Sequence, residues 1–230
     1  MAHRFSAEAA MFIAGLSRRT LVAASGAALL SSPARGSQTG ARIATPAQDE
    51  GPFYPTTYPA STDNDLVRLT GSDVPALGTV THLHGAVTGL DGAPVAGARV
   101  EIWQSDATGK YNHPAQEFVS HRDLRFQGFG VTTTDVRGRY AFRALRPVIY
   151  EVALGSRRFM RAAHIHVAVY TDGVRRLTTQ VYRRGDPYLP HDFIFTRLSD
   201  PQKALVTADF VDGSDIEADA LKARFDIILA

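Results

Sequence analysis

The chain has 230 residues, no cysteine and a formal net charge of +2 at neutral pH. This length suits one substantial domain or two small ones. The lack of cysteine excludes disulfides, thiolate metal ligands and cysteine nucleophiles. Four of the 25 basic side chains and one of the 23 acidic ones lie in the first 40 residues, so the remainder carries a net charge of −1. Charge therefore gives no support to nucleic-acid binding, and any metal must be held by nitrogen and oxygen.

Residues 1–40 have the pattern of an export signal. The pair Arg18-Arg19 precedes an apolar run at 23–30 and small residues at 31–34. This order is typical of a secretory signal, and the paired arginines before Leu and Val resemble the twin-arginine signal of bacterial export. The apolar run is too short for a stable membrane anchor. We expect a flexible leader over 1–40 and export to the periplasm or the extracellular space.

Residues 41–79 are rich in Pro, Thr, Asp and Gly and show no sustained apolar period. The stretch 49–55 carries two prolines and two aromatic residues, which indicates a rigid loop instead of a strand. We expect this loop to pack over the domain or to lie across the mouth of a site.

From residue 79 onward, short alternating runs are separated by turn signals such as Asp91-Gly92. The predicted strands are 79–88, 98–104, 128–134, 139–142, 148–152, 164–170, 177–182 and 225–229. Ser199 and Pro201 predict the start of one short helix, and residues 218–224 are also expected to be helical. This pattern favours a mainly β fold: a single β-sandwich domain over 41–230 with short helices and long loops.

Two histidines, His164 and His166, lie one residue apart in a predicted strand. Side chains in a strand alternate between faces, so both imidazoles should share a face while Ile165 turns into the core. Arg161 places a positive charge nearby. Such a pair is a candidate for metal binding, although histidines in this arrangement also serve as buried hydrogen-bonding groups. His82 and His84 form a second pair of this kind.

Tyrosines are candidate oxygen ligands for a metal in a chain without thiols. Tyr111, Tyr140 and Tyr150 each lie near a turn or a strand. A tyrosine in such a position more often packs with its hydroxyl in a hydrogen bond. Pattern alone does not choose among the three.

Nine segments, in order, resemble the intradiol ring-cleavage dioxygenases, in particular their protocatechuate 3,4-dioxygenase branch. They are residues 50–54 (EGPFY), 84–87, 92–98, 100–104 (VEIWQ), 109–113 (GKYNH), 126–130, 134–142, 161–166 (RAAHIH) and 177–182. The order and the spacing of these segments make the resemblance specific, and it extends from about residue 50 to the C-terminus.

The resemblance implies a non-haem Fe(III) enzyme that cleaves a catechol-type aromatic diol with O2 to a cis,cis-muconate-type dicarboxylate. The implied iron ligands are Tyr111, Tyr150, His164 and His166. The implied catalytic residues are Tyr150, which leaves the metal and takes a catechol proton, Arg161 on the substrate side, and Gln180. Tyr140 would be structural. The partners would be the diol and O2, and a homo- or hetero-oligomer is expected, in which a second subunit can complete the site.

The chemistry agrees with these residue types. Phenolate is a hard anionic donor that favours Fe(III), and imidazole also suits iron. The guanidinium of Arg161 is always charged, so it can stabilise negative charge that develops on the substrate. The chain has Val148-Ile149 where the family often has Gly-Pro, and it lacks the Trp and Pro that often flank Arg161. These differences predict a reshaped pocket wall.

Two other classes of protein fit parts of the pattern. Residues 85–100 and 134–142 would also suit a non-catalytic transthyretin-like or carboxypeptidase-regulatory-like β-sandwich module. Such a module has no reason to carry the four implied ligands together with Arg161. A zinc hydrolase would use the two histidines but needs a carboxylate ligand and a general base, and Glu101 is the lone carboxylate candidate.

Overall fold

The computed structural model describes residues 42–58, 62–116 and 122–230. The predicted leader lies outside this part of the chain. Within the described ranges there are twelve strands and one α-helix, together with three single-turn 3₁₀ helices. The strands are β1 (Val80–Gly89), β2 (Arg99–Trp103), β3 (Phe129–Thr133), β4 (Arg139–Leu145), β5 (Tyr150–Leu154), β6 (Arg157–Arg161), β7 (His164–Thr171), β8 (Val174–Arg183), β9 (Thr207–Ala208), β10 (Phe210–Asp212), β11 (Leu221–Arg224) and β12 (Ile227–Leu229). The helix is α1 (Asp200–Leu205).

Two five-stranded sheets form a sandwich, which confirms the predicted fold class. In the first sheet β1 is central: β4 pairs with it antiparallel, and β11 and β12 pair with it in parallel along successive halves. The second sheet has the order β3-β2-β7-β8-β9, and β5 and β6 form a separate hairpin. The core between the sheets is built from alternate residues of the strands, including Leu83, Ile102, Ile165 and Val167, all fully buried.

The second sheet is covered on its other face as well. There a second apolar cluster contains Phe53, Trp103, Tyr111, Phe129 and Tyr150. Because strand side chains alternate, residues on either side of Ile165 must point into this second cluster. The candidate site therefore lies on the outer face of the second sheet, beneath loops, and not between the two sheets.

The C-terminal segment corrects one prediction. Residues 221–224 are strand β11, paired with β1 and β10, and not part of a helix. Pairing with the central strand of a sheet outweighs the weak helical preference of a short Ala- and Lys-containing segment. The short helix after Ser199 is confirmed, with the side-chain oxygen of Gln202 accepting a hydrogen bond from the Ser199 amide at 3.0 Å. No helix in the described ranges is long and apolar enough to span a bilayer.

Candidate metal centre

His164 and His166 point to one face of β7, as their spacing predicts, and both are almost completely buried. Their Nε2 atoms lie 3.1 Å apart. The Nδ1 atom of His164 is 2.6 Å from the carbonyl oxygen of Ala162. A carbonyl only accepts, so Nδ1 carries the proton and Nε2 keeps its lone pair. This is the tautomer that a metal-binding histidine needs when its second nitrogen is held by the backbone.

Tyr150 enters the same cluster from the β5–β6 hairpin. Its Oη atom lies 3.4 Å from His164 Nε2, and its side chain is 4% exposed. In the hairpin, Tyr150 is the direct register partner of Arg161. Side chains in such cross-strand pairs are neighbours on one face, so a phenol and a guanidinium meet at the edge of the cluster.

Tyr111 reaches the cluster from the loop that follows β2. Its ring lies 5.2 Å from that of Tyr150 and 6.1 Å from that of His166, centroid to centroid. The side chain of Asp106 holds the loop by accepting hydrogen bonds from the amides of Thr108 and Lys110. The Oη atom of Tyr111 is buried and has no hydrogen-bond partner among the described residues. A buried polar atom without a partner is costly and calls for an explanation.

Gly109 allows this loop to approach the hairpin. Its φ is +81°, and a Cβ built there would lie 3.0 Å from the Cβ of Tyr150. Both the left-handed backbone and the close approach favour glycine at this position. The tight packing brings the rings of Tyr111 and Tyr150 together although the two residues belong to different segments.

The electrostatics of the cluster favour neutral side chains in the absence of a cation. Burial raises the pKa of Tyr111, and the neighbouring Tyr150 raises it further. Burial also raises the pKa of Tyr150, partly opposed by the positive charge of Arg161. Burial and Arg161 lower the pKa of His164 well below its usual value, and the pKa of His166 is lowered in the same way by burial, His164 and Arg161. Both imidazoles are therefore neutral at neutral pH, as metal binding requires.

Arg161 and Gln180 lie beside the cluster. Gln180 is the register partner of His166 on β8, and its Oε1 accepts a hydrogen bond of 2.7 Å from Arg161 Nη2. Both side chains are buried. All six predicted site residues thus come together in one buried region.

The loop 49–55 covers this region, which is one of the two positions predicted for it, and residues 45–48 attach it to the sheets. The ring of Phe53 stacks on Tyr111 at 4.7 Å and meets the edge of Tyr150 at 6.3 Å. The Gln48 side chain donates to Tyr182 Oη and accepts from the Gln180 amide, which fastens the segment to β8. The roof of the site therefore comes from the N-terminal end of the described chain.

Two residues outside the predicted set support the site. Trp103 stacks on His166 with ring centroids 4.7 Å apart and an interplanar angle of 6°. Asp192 is fully buried and forms an ion pair with Arg161, with 2.8 Å between Oδ2 and Nε. No local pattern marked Asp192, because its partner lies 31 residues earlier on another element.

The other candidates lie elsewhere. His82 is on the first sheet, where it contacts Glu217 at 3.0 Å. A groove of about 500 Å³ on the same sheet is lined in part by His84, Tyr140 and Arg224 and contains none of the predicted site residues. Tyr140 donates its hydroxyl to the backbone carbonyl of Phe225, which agrees with a structural role.

Glu101 is buried but already engaged: Tyr54 Oη donates to its Oε2 at 2.8 Å, and Arg99 forms an ion pair with it. Among the residues that the structure describes, no three His, Asp or Glu side chains gather as a metal site. The arrangement expected of a zinc hydrolase is thus not found in these ranges.

Residues 49–230 match a family model described as a dioxygenase. The chain is also 32% identical over 184 residues to the protocatechuate 3,4-dioxygenase beta chain of Burkholderia cepacia, a match that covers 80% of this chain and 74% of that one. This chain belongs to the intradiol ring-cleavage dioxygenase family. It is 37% identical over 174 residues to catechol 1,2-dioxygenase 2 of Acinetobacter lwoffii, which covers 69% of this chain and 58% of that protein.

Solved structures of intradiol dioxygenases share the fold. The catechol 1,2-dioxygenase of Acinetobacter sp. ADP1 gives a TM-score of 0.63 at 31% identity over 82% of this chain and 63% of its own. The dioxygenase domain of a carbohydrate-binding fusion protein from Streptomyces sp. SirexAA-E gives 0.60 at 26% identity, over 81% and 98%. The chain thus spans less than two thirds of the length of the two catechol 1,2-dioxygenases named above. The family uses non-haem Fe(III).

Proposed function

We propose that this protein is a non-haem Fe(III)-dependent intradiol dioxygenase that cleaves a catechol-type diol with O2 to a cis,cis-muconate-type dicarboxylate. The observation that carries the proposal is the convergence of two histidine Nε2 atoms 3.1 Å apart with the Tyr150 hydroxyl, 3.4 Å from one of them, in a buried cluster that also contains Tyr111. The iron would be held by Tyr111, Tyr150, His164 and His166.

The donor set fits a ferric ion. The Tyr111 hydroxyl is buried without a hydrogen-bond partner in the described ranges, and a bound cation would both supply a partner and favour the phenolate that burial alone disfavours. The lone pair of His164 Nε2 already faces the cluster because the other ring nitrogen donates to a backbone carbonyl. Two phenolates and two neutral imidazoles are hard and borderline ligands, which suit Fe(III).

When bound, the iron supplies a Lewis acid that lets a diol ionise at neutral pH. The side chains of this chain then have separate tasks. Tyr150 Oη, once ionised, would be the base that accepts a diol proton: it lies at the edge of the cluster beside Arg161, whose positive charge partly opposes the rise in the pKa of Tyr150 that burial causes. Arg161 offers a fixed positive charge where negative charge develops on the ring. Gln180 orients Arg161 through their hydrogen bond.

The surroundings suit a flat aromatic substrate shielded from water. Phe53, Trp103, Phe159 and Phe193 surround the cluster or pack beside it. An enclosed apolar site excludes water, which strengthens the electrostatic interactions that the reaction uses. A catechol-type ring with two adjacent hydroxyls is the substrate class that a metal flanked by one base and one fixed cation would accept.

The test is the visible absorption spectrum of the purified iron-loaded protein, before and after anaerobic addition of catechol. We expect a tyrosinate-to-Fe(III) charge-transfer band that shifts when catechol binds, followed by formation of a dicarboxylate once O2 is admitted. A colourless protein with one iron bound and an intact fold would overturn the ligand set. The chain would then be better explained as a non-catalytic β-sandwich module, and the convergence of these four side chains would have no metal-binding role.

We also propose that residues 1–40 are a leader that directs export of the folded domain by a twin-arginine route, with residues 41–230 as the catalytic domain. The support is the order of the Arg18-Arg19 pair, the apolar run and the small residues. Replacing both arginines with lysine in the full chain, expressed in a bacterium, should leave iron-loaded enzyme in the cytoplasm. Unchanged export of that variant, or export of an unfolded chain only, would overturn this route.

A further inference from the structure

Asp192 is a fully buried carboxylate, and both of its oxygens accept hydrogen bonds. Its Oδ2 accepts hydrogen bonds from Arg161 Nε at 2.8 Å and from the Ala162 amide at 3.0 Å. Its Oδ1 accepts from the amides of Ile194 and Phe195, each at 3.0 Å, and lies 3.5 Å from Arg161 Nη2. Oδ1 therefore mainly fixes the loop of Asp192 itself, and Oδ2 binds the guanidinium and the backbone next to it.

The same contacts occupy most of the guanidinium of Arg161. Its Nε donates to Asp192, and its Nη2 donates to Gln180 Oε1 and, at 3.5 Å, lies near Tyr182 Oη. The ring of Phe193 lies 5.1 Å from the guanidinium carbon and covers part of it. Arginine has N–H donors on three nitrogens. Within the described ranges, Nη1 is the guanidinium nitrogen without a hydrogen-bond partner within 3.5 Å.

Arg161 is also held next to Tyr150, its register partner in the hairpin. A long side chain that must act at one point loses efficiency when it samples several rotamers, and a fixed geometry saves that entropic cost during the reaction. An arginine with one nitrogen left for a ligand and the rest held by buried partners is fixed in this way.

We propose that Asp192 is a positioning residue of the site: together with Gln180 it fixes Arg161 so that Nη1 is the donor presented to the ring-cleavage substrate. This role rests on the proposed function, and it assigns to Asp192 no contact with the substrate. A buried ion pair is poor evidence for stability by itself, because desolvation offsets much of its attraction. We therefore assign to Asp192 a geometric role, which is to hold Arg161 in place, and not a stabilising one.

The chain offers a matched control in Asp186. This aspartate is 3% exposed, forms an ion pair with Arg183 at 2.9 Å and accepts a hydrogen bond from the Tyr188 amide. It has the same kind of burial and the same kind of partners as Asp192 and precedes it by six residues. It touches none of the proposed site residues, so D186N removes a comparable charge without touching Arg161.

The experiment is a double-mutant cycle on the iron-loaded full chain with R161Q, D192N and the double variant, next to D186N. Positioned electrostatic groups contribute on the order of 100-fold to kcat, so we expect D192N to lower kcat by about 30- to 100-fold with a change in KM below about 3-fold. In the R161Q background, D192N should change kcat by less than about 2-fold, because residues that act as a unit are not additive. D186N should keep wild-type kcat.

Equal kcat in D192N and wild type, or a full multiplicative loss in the R161Q background, would overturn the positioning role while the enzyme activity stands. If D192N does not fold, D192E takes its place: it keeps a buried carboxylate for Arg161 but moves it by one methylene group, and wild-type kcat in D192E would overturn the positioning role. A wild-type iron-loaded chain that cleaves no diol would instead overturn the proposed function, and the role in catalysis with it.

A measurement that needs neither iron nor turnover tests the positioning role separately from the proposed enzyme activity. In the ¹⁵N NMR spectrum of the metal-free chain, Arg161 Nε–H should exchange slowly with solvent, because it is buried and bonded to Asp192. D192N should abolish this slow signal, and D186N should retain it. A slow signal that persists in D192N would show that Arg161 is held without Asp192 and would overturn the inference.

Discussion

Tyr150 and Arg161 stand directly opposite each other in the β5–β6 hairpin. The proposed base and the proposed cation are therefore placed by one local element, and a shift of the hairpin would move both. The proposed ligands His164 and His166 begin three residues later on β7. The proposed base, the proposed cation and the two nitrogen ligands thus all lie within residues 150–166. Tyr111 reaches them from the loop after β2.

The Tyr150 hydroxyl is expected to contribute to catalysis and iron binding, and little to the stability of the fold. Y150F keeps the ring in its aromatic cluster and removes an oxygen that lies 3.4 Å from His164 Nε2. Loss of a general base lowers rates by about 100-fold or more, so we expect a loss of kcat of that size and a weakened charge-transfer band, with little change in the free energy of unfolding.

Tyr140 provides the control for that variant. It is equally buried, but its hydroxyl donates to the carbonyl of Phe225, between β11 and β12. Y140F should cost about 1–3 kcal/mol of unfolding free energy because a buried acceptor loses its donor. It should leave the visible spectrum and kcat unchanged. A Y150F enzyme with wild-type kcat would contradict the proposed base.

The metal-free chain should lose stability as the pH falls below about 6.5, the ordinary pKa of an unfolded histidine. The folded-state pKa values of His164 and His166 are lowered by burial and by Arg161. Between the folded and the unfolded pKa, the unfolded chain binds more protons, so the free energy of unfolding decreases with falling pH. Two such groups predict a loss of about 3 kcal/mol between about pH 7.5 and about pH 5.5.

Urea denaturation with a chelator present measures this loss. The window lies above the range in which ordinary carboxyl groups titrate, which isolates the histidines. In the variant H164Q/H166Q the free energy of unfolding should keep only the smaller pH dependence of the remaining histidines, such as His113, whose pKa burial also lowers. A wild-type free energy of unfolding that rises towards the acid end of this window would mean that the two imidazoles are protonated in the fold.

Gly109 is expected to set the approach of the Tyr111 loop to the hairpin. In G109A the new Cβ would lie 3.0 Å from the Cβ of Tyr150, on a backbone with φ of +81°. We expect a cost of about 1–3 kcal/mol in unfolding free energy from the strained backbone, together with weaker iron binding as Tyr111 and Tyr150 are pushed apart.

Gly155 separates backbone strain from displacement of the tyrosines. It also has a positive φ, +62°, but nothing lies within 4 Å of the position that a Cβ would take there. G155A should show a strain cost of the same order, with iron affinity, measured by competition with a chelator, left at the wild-type value. Equal iron affinities in G109A and wild type would contradict the proposed role of the close contact.

The segment that begins at residue 42 should be needed for the site although it forms no strand. Thr45 exchanges hydrogen bonds with Ile228 through its amide and its hydroxyl, and the Gln48 amide donates to Thr178. Removal of residues 1–40 leaves these bonds in place, so a chain of 41–230 should retain its melting temperature and iron band. Removal of residues 1–50 loses several bonds of about 1 kcal/mol each and part of the roof.

Calorimetry and the visible spectrum of the two truncated chains check this expectation. The shorter chain should melt at a lower temperature and bind iron less tightly. Identical melting temperatures for chains that start at residues 41 and 51 would show that the segment contributes nothing to the fold.

Much of the site follows from local sequence rules. The two-residue period of a strand alone places His164 and His166 on one face and Ile165 in the core. The absence of cysteine restricts any metal site to nitrogen and oxygen ligands. Short alternating runs and turn residues predicted the sandwich. The same local rules were wrong for residues 221–224, where pairing with β1 decided the conformation, and they did not predict the charged strand β6, which shows no alternation.

The sequence by itself determined the class of fold, the pair of histidines on one strand face and, through ordered segments similar to a known family, which tyrosines to consider. Only the tertiary structure decided which atoms meet. Tyr111, Tyr150 and Asp192 come from three separate segments, and their distances to the histidines depend on strand register and on loop packing. Those are long-range interactions, which carry no periodic signal in the chain, and so the partner of Arg161 became visible only in the fold.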